Sequence, residues 1–126
     1  MMETLIKAGG LYNLVLVVFH LLFWQLFNWK DDLRSLSFNN RAIMQVVNLS
    51  LTLVFVLFAY VSLAQVDALL TTPLGKSLLV FMALFWLARC VMQVVFFRLA
   101  HWGSIAFLAF FFAGGMLYGI PALVVM

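Results

Sequence analysis

Residues 74–97, LGKSLLVFMALFWLARCVMQVVFF, form one long apolar run that contains a single arginine, Arg89, in its second half. An α-helix rises about 1.5 Å per residue, so about 20 mostly apolar residues cross the hydrocarbon core of a bilayer. A run of this length and composition therefore predicts a transmembrane helix. An arginine is a residue that such a helix rarely contains.

Three other stretches have the same apolar character and are long enough to span a bilayer: residues 11–29, 42–64 and 102–125. Asn39–Asn40 offers an N-cap to the second helix, and Thr72–Pro73 places a capping hydroxyl before a proline at the start of the third. The sequence therefore predicts an all-α, integral membrane four-helix transmembrane bundle with short connections. One transmembrane domain then covers residues 1–126, with the N- and C-termini on the same side.

The composition excludes a soluble protein. Of the 126 residues, 67% are hydrophobic and 9% are charged, whereas soluble domains average about 45–50% apolar and about 25% charged residues. The net charge of +3 is spread along the chain and does not form the clustered basic face that nucleic-acid binding requires. Membrane lipids are the expected partners, together with a homo-oligomer or a larger membrane complex.

The basic residues predict an orientation in the membrane. The connections after the first and third helices carry Lys30, Arg34, Arg41 and Arg98, whereas the termini and the middle connection carry only Lys7 and Lys76. The positive-inside rule then places both termini outside and the two basic connections inside. We expect a bacterial cytoplasmic (inner) membrane, with residues 30–40 lying along its surface as an interfacial segment.

Arg89 is the outlier within the spans. An arginine near a helix centre costs about 2.5–3.5 kcal/mol on insertion scales, and Arg89 lies about 12 Å along the helix axis from Phe97. None of the four spans contains an Asp or Glu; the acids are Glu3, Asp31, Asp32 and Asp67. Arg89 is therefore predicted to face the interior or a wet cavity, where it either binds an anionic group or braces the bundle.

Helical spacing and depth group further candidates around Arg89. Gln93 lies one turn later, and Phe85 and Trp86 lie one turn earlier, within reach of a cation–π contact. His20 lies at a similar depth in the first helix. The candidate ligand-binding residues are Arg89, His20, Asn48, Gln93, Gln45, Trp24, Trp86 and Tyr118. The alternative is that Gln45, Asn48 and Gln93 form interhelical hydrogen bonds and that Tyr118 is an interfacial anchor.

No motif assigns catalytic chemistry. The sequence has no glycine-rich phosphate loop, HExxH motif, paired cysteines or GxSxG elbow, so no catalytic or metal-ligating residue is assigned. His20 and His101 lie at different depths, which disfavours bis-histidine haem ligation within one chain. A haem held by a single histidine and a haem shared between protomers both stay open, and no cofactor is identified.

Three hypotheses from different classes remain. The first is a non-enzymatic membrane protein whose intramembrane polar pocket holds a lipid, a quinone or a small anion, acting as an oligomeric transporter, a channel or an accessory subunit. The second is a structural or assembly subunit of a larger membrane complex. The third is a small membrane enzyme acting on a lipid or isoprenoid, with His20 as acid/base and Arg89 stabilising negative charge.

Overall fold

The computed structural model describes residues 1–126 as seven α-helices, with no strand. In chain order, the helices are α1 Met2–Leu21, α2 Phe23–Leu26, α3 Trp29–Asp32, α4 Phe38–Ala64, α5 Val66–Thr71, α6 Pro73–Phe96 and α7 Trp102–Val125, with a 3₁₀ turn at Leu33–Ser35 between α3 and α4. The long helices are α1, α4, α6 and α7, and the other three are short. The predicted all-α four-helix bundle is confirmed.

The four long helices have the length and the surface of membrane spans. Each contains a stretch of residues that is long and apolar enough to cross a bilayer. Their outward faces are covered by large apolar side chains, such as Leu53 (70% exposed), Phe81 (67% exposed) and Leu123 (79% exposed). A surface of this kind requires lipid as its solvent. The chain is a multi-pass membrane protein.

The first span differs from its predicted range of 11–29. Helix α1 begins at Met2, where an ion pair between Lys7 Nζ and Glu3 Oε1 (2.8 Å) links successive turns. It ends at Leu21, because the backbone leaves the helix at Leu22 and reaches the left-handed region at Asn28 (φ 51°). Asparagine is one of the few residues that adopts this conformation readily. The predicted interfacial segment 30–40 contains all of α3 except Trp29, the 3₁₀ turn and the start of α4.

The starts of the other long helices show which capping signals were correct. Thr72 Oγ1 accepts from the Gly75 amide at 2.9 Å, which confirms the predicted cap of α6. The predicted Asn39–Asn40 cap of α4 is wrong, because Ser37 Oγ accepts from the Asn40 amide and starts the helix at Phe38. The short helix α5 was not predicted, and it is held by the buried side chain of Leu69.

The long helices form two antiparallel pairs, which we call the first half (α1 and α4) and the second half (α6 and α7). Between α4 and α6 the contact is made by aromatic rings, with Phe55 stacked on Trp86 (centroids 5.4 Å apart) and Phe58 edge-on to Phe85 (5.3 Å). The basic end of the bundle carries residues 22–37 and 97–101. The opposite end carries both termini and α5.

Three side-chain hydrogen bonds join the halves, and all lie between the middle of the bundle and the opposite end. Tyr12 donates to the Phe110 carbonyl at 2.9 Å. Tyr118 Oη accepts from Asn13 Nδ2 and shares a hydrogen bond with Ser62 Oγ, each at 2.8 Å. No such bond joins the halves at the basic end, which leaves space between them there.

Candidate functional site

A cavity of about 1110 Å³ separates the two halves at the basic end. Residues from α1, α4, α6 and α7 and from the connections at the basic end line it, and most of them are apolar or aromatic. The lining includes exposed side chains of α4 and α6, namely Met44, Val47 and Met92. The polar members of the wall are His20, Asn48, Arg89, Gln93, Arg98, His101 and Ser104.

Arg89 lies on this wall and is partly buried. Its guanidinium carbon is 4.3 Å from the centroid of the Phe111 ring and 5.8 Å from that of Phe97. One long hydrogen bond, from Nη1 to Gln93 Oε1 at 3.4 Å, is its only polar contact within the protein. A guanidinium has five N–H donors, and no carboxylate lines the cavity. Arg89 therefore presents a positive charge with unused donors to the cavity.

The predicted cation–π contacts of Arg89 with Phe85 and Trp86 are absent. The prediction rested on helical spacing, which places Phe85 and Trp86 one turn before Arg89. The structure shows the long arginine stem extending the other way, toward Gln93 and Phe97 at the C-terminal end of α6. The rings that receive the cation come instead from Phe97 and from Phe111 on α7.

Gln93 connects Arg89 to α7. Its side chain is 2% exposed, and its Nε2 donates to Ser104 Oγ at 2.9 Å while its Oε1 faces Arg89. Gln93 thus makes an interhelical hydrogen bond, as the structural alternative predicted, and at the same time holds a member of the cavity wall in place.

His20 and Asn48 form the facing wall, on the first half. Asn48 Nδ2 donates to the His20 carbonyl at 3.0 Å, so it binds one of the last carbonyls of α1. The His20 ring stacks on Phe55, with centroids 4.9 Å apart, and its Nδ1 is buried without a hydrogen-bond partner. Asn48 therefore makes an interhelical hydrogen bond that fixes the backbone of His20. The imidazole of His20 keeps one nitrogen without a hydrogen-bond partner.

Trp86 forms the inner floor of the cavity. It is 1% exposed and stacks between Phe55 (5.4 Å) and Phe111 (6.0 Å), with Tyr12 edge-on to it at 5.1 Å. Its Nε1 is buried and has no hydrogen-bond partner. Since buried indole N–H groups usually find an acceptor, Trp86 is a second wall residue with an unused polar atom.

Trp24 and Gln45 do not line the cavity. Because α1 ends at Leu21, Trp24 is not held one turn beyond His20, and its Nε1 donates to Gln45 Oε1 at 3.1 Å. Both residues lie in a second, smaller space of about 540 Å³, which we call the lateral cleft. The lateral cleft is lined by Trp24, Gln25, Trp29, Lys30, Leu33, Arg34, Arg41 and Gln45.

Tyr118 also lies away from the cavity, toward the opposite end. It is fully buried, and its ring passes so close to Gly9 that an added Cβ there would be 2.6 Å from Tyr118 Cζ. Its hydroxyl contacts Asn13 and Ser62. The structure thus places it neither on the cavity wall nor at an exposed interface, but in the contact that joins the halves.

We expect Tyr118→Phe to destabilise the bundle by about 1–2 kcal/mol, because it removes two buried hydrogen bonds while it keeps the ring. Unfolding in mixtures of mild and denaturing detergent, followed by circular dichroism, measures this. Tyr60→Phe is the matched control, since Tyr60 is 56% exposed and its hydroxyl has one long hydrogen bond, from Gln65 at 3.3 Å. Equal midpoints for the two variants would contradict the role given to Tyr118.

Sequence reasoning missed four wall residues that add to the site. Arg98 was used only to predict the orientation and His101 was weighed only as a haem ligand, while Ser104 and Phe111 were not connected with Arg89. All four line the cavity. One signal was present: positions 93 and 104 lie at similar distances from the 98–101 turn, so an antiparallel hairpin places them opposite each other. With these residues the wall carries two arginines, two histidines and no acid.

The chain matches no protein-family model, and no curated protein or solved structure resembles it.

Proposed function

We propose that this multi-pass membrane protein binds an anionic amphiphile, with the negative group at Arg89 and the apolar part in the aromatic cavity. The observation that carries the proposal is the Arg89 guanidinium, which is partly buried on the wall of a large cavity and has one long hydrogen bond to a neutral amide. A cation in this setting is stabilised when an anion provides acceptors for its donors.

The charge of the wall supports an anion. Arg89 and Arg98 are the ionised residues of the lining, and neither forms an ion pair within the protein. Positively charged groups in apolar surroundings attract an anion more strongly than the same groups do in water. Two further polar atoms of wall residues, His20 Nδ1 and Trp86 Nε1, lack partners but are covered by protein atoms, so the ligand's charge is assigned to Arg89.

The shape of the cavity supports an amphiphile over a free inorganic anion. Its lining includes exposed apolar side chains of two membrane-spanning helices, Met44 and Val47 on α4 and Met92 on α6. A ligand that lies along this wall contacts apolar side chains and needs an apolar part. Small-molecule sites are typically apolar concavities with a few polar groups, and Phe55, Phe107 and Phe111 supply that surface.

The test compares two ligands that share a chain and differ in charge. The purified protein in a neutral detergent is titrated with oleate and with oleyl alcohol, and bound molecules are counted by native mass spectrometry. We expect oleate to bind at least about tenfold more tightly, because one charge-assisted contact contributes about 1.5–3 kcal/mol. Equal binding of the two would overturn the proposal. If the protein instead co-purifies with unrelated subunits at a fixed stoichiometry and binds no oleate, the hypothesis of a structural or assembly subunit is favoured.

We further propose that the basic end faces the cytoplasm, following the distribution of lysine and arginine. Ser35→Cys and Thr71→Cys, each made in a Cys90→Ser chain, form a matched pair, since both positions are exposed and each hydroxyl binds a nearby carbonyl. In intact bacterial cells, a membrane-impermeant maleimide should label Thr71→Cys at once and Ser35→Cys only after permeabilisation. The reverse order would place the basic end outside.

A further inference from the structure

The lateral cleft is a second concave site at the basic end, beside the cavity. Trp29 lines both spaces, while the rest of the lateral cleft comes from α2, α3, the 3₁₀ turn and the start of α4. The lateral cleft lies at the depth where the transmembrane helices end, which is where the headgroups of a surrounding bilayer would lie. Nothing assigned to the cavity uses Lys30, Arg34 or Arg41.

The walls of the lateral cleft are fixed by specific contacts. The left-handed backbone at Asn28 turns the chain so that the Trp29 ring lies edge-on to Trp24, with centroids 5.3 Å apart. Trp24 donates to Gln45, and Gln45 in turn donates to the Arg41 carbonyl at 3.2 Å. Leu33, which is 5% exposed, closes the base. The space is therefore built by packed indoles and a hydrogen-bonded amide.

The charges that line it are all positive. Lys30 and Arg41 have no ion-pair partner, and Arg34 has only a long contact with Asp31 (3.6 Å), in which both side chains are mostly exposed. Asp31 and Asp32 lie on the same segment, but neither lines the lateral cleft. Three cations thus converge on one space, with a weak competing acid at its edge.

We propose that the lateral cleft binds the phosphate group of an anionic phospholipid. Lysine and arginine provide charge-assisted donors for phosphate oxygens, and basic pockets at the cytoplasmic side of transmembrane helices bind anionic headgroups. Trp24 and Trp29 fit this ligand, because indole rings favour the headgroup level of the membrane. The proposal does not depend on the function proposed for the cavity.

The experiment uses the full chain carrying Arg89→Gln, so that anion binding in the cavity is removed. It is titrated in neutral detergent with phosphatidylglycerol, and bound lipid is counted by native mass spectrometry. The double variant Lys30→Gln/Arg41→Gln should weaken phosphatidylglycerol binding about fivefold for each cation removed, since each is worth about 1 kcal/mol near the headgroups. An unchanged affinity would overturn the proposal.

Four controls separate the site from general attraction and from misfolding. Lys7→Gln/Lys76→Gln removes as many lysine or arginine charges at the opposite end and should leave binding unchanged; an equal loss would overturn a local site. Lys30→Arg/Arg41→Lys keeps the charge and should keep most of the affinity, as a site that depends on charge requires. Inorganic phosphate should not compete; effective competition would identify a free phosphate site instead. In the chain with Arg89 intact, oleate binding should not respond to the Lys30 and Arg41 changes.

Discussion

Replacing Arg89 with glutamine is expected to weaken oleate binding at least about 30-fold, because losing one partner of a buried charge pair costs about 2 kcal/mol or more. Glutamine retains a polar group that can still meet Gln93, so the change removes the charge and the guanidinium donors with little loss of volume. Native mass spectrometry of the variant, titrated with oleate, measures the effect.

The same variant should fold at least as well as the parent protein. A charge in a membrane interior is costly, and the bond from Gln93 to Ser104 does not depend on Arg89. We therefore expect the detergent-unfolding midpoint to be unchanged or higher. If Arg89→Gln instead unfolds the bundle, Arg89 is a structural brace. Arg34→Gln, the same substitution outside the cavity, should leave oleate binding unchanged.

Charge alone does not account for the expected role of Arg89. Arg89→Lys keeps a cation, but an ammonium is a compact point charge without the planar fork that binds two acceptor oxygens at once. We therefore expect this variant to bind oleate more weakly than the parent protein and more tightly than Arg89→Gln. This order separates a contact with the anion from a general field effect.

Trp86→Ala is expected to cause the largest loss of stability, about 2 kcal/mol or more. Trp86 stacks on Phe55 from the first half and on Phe111 from the second, so its removal empties the centre of the bundle. In a membrane the transfer term is small because lipid is itself apolar, but the cavity and the lost ring contacts remain.

Unfolding in mixed detergents, followed by circular dichroism, measures this effect, and Trp102→Ala is the control. Trp102 is 78% exposed, so its removal opens no internal space and should change the midpoint little. Trp86→Phe should lie between Trp86→Ala and the parent protein, since a phenyl ring keeps part of the stack. A midpoint for Trp86→Ala equal to that of Trp102→Ala would show that the aromatic stack does not hold the halves together.

The spans could be predicted because lipid leaves few alternatives for an apolar chain. Within a bilayer every backbone polar group needs an internal partner, so long apolar runs become helices. For α7 the predicted range agrees with the structure, and for α6 it differs by one residue at each end. The break at Leu22 could not be predicted, because it is not marked by a proline or glycine and coincides with a long-range bond, from Asn48 to the His20 carbonyl.

The positions of some residues of the candidate site could also be predicted from the sequence. Depth and helical face place Arg89, His20 and Gln93 around one space, because these properties follow from position along the chain. The direction of the Arg89 side chain does not follow from position along the chain. It depends on the rings of Phe97 and Phe111, which a later turn and another helix bring close to Arg89. Trp24 was misplaced because its prediction assumed that α1 continues to residue 29. Gln45 was grouped with Asn48 by its helical face, but its side chain accepts from Trp24 outside the cavity.

The hydrogen bonds between the halves have a mechanical consequence. Since all three lie at the level of Tyr12 and Phe110 or closer to the termini, the helices can splay at their free ends without breaking any of them. In the function we propose, a change in the separation of the halves at the basic end would let the cavity accept amphiphiles that differ in chain number. The end that carries the termini would stay joined by the three hydrogen bonds.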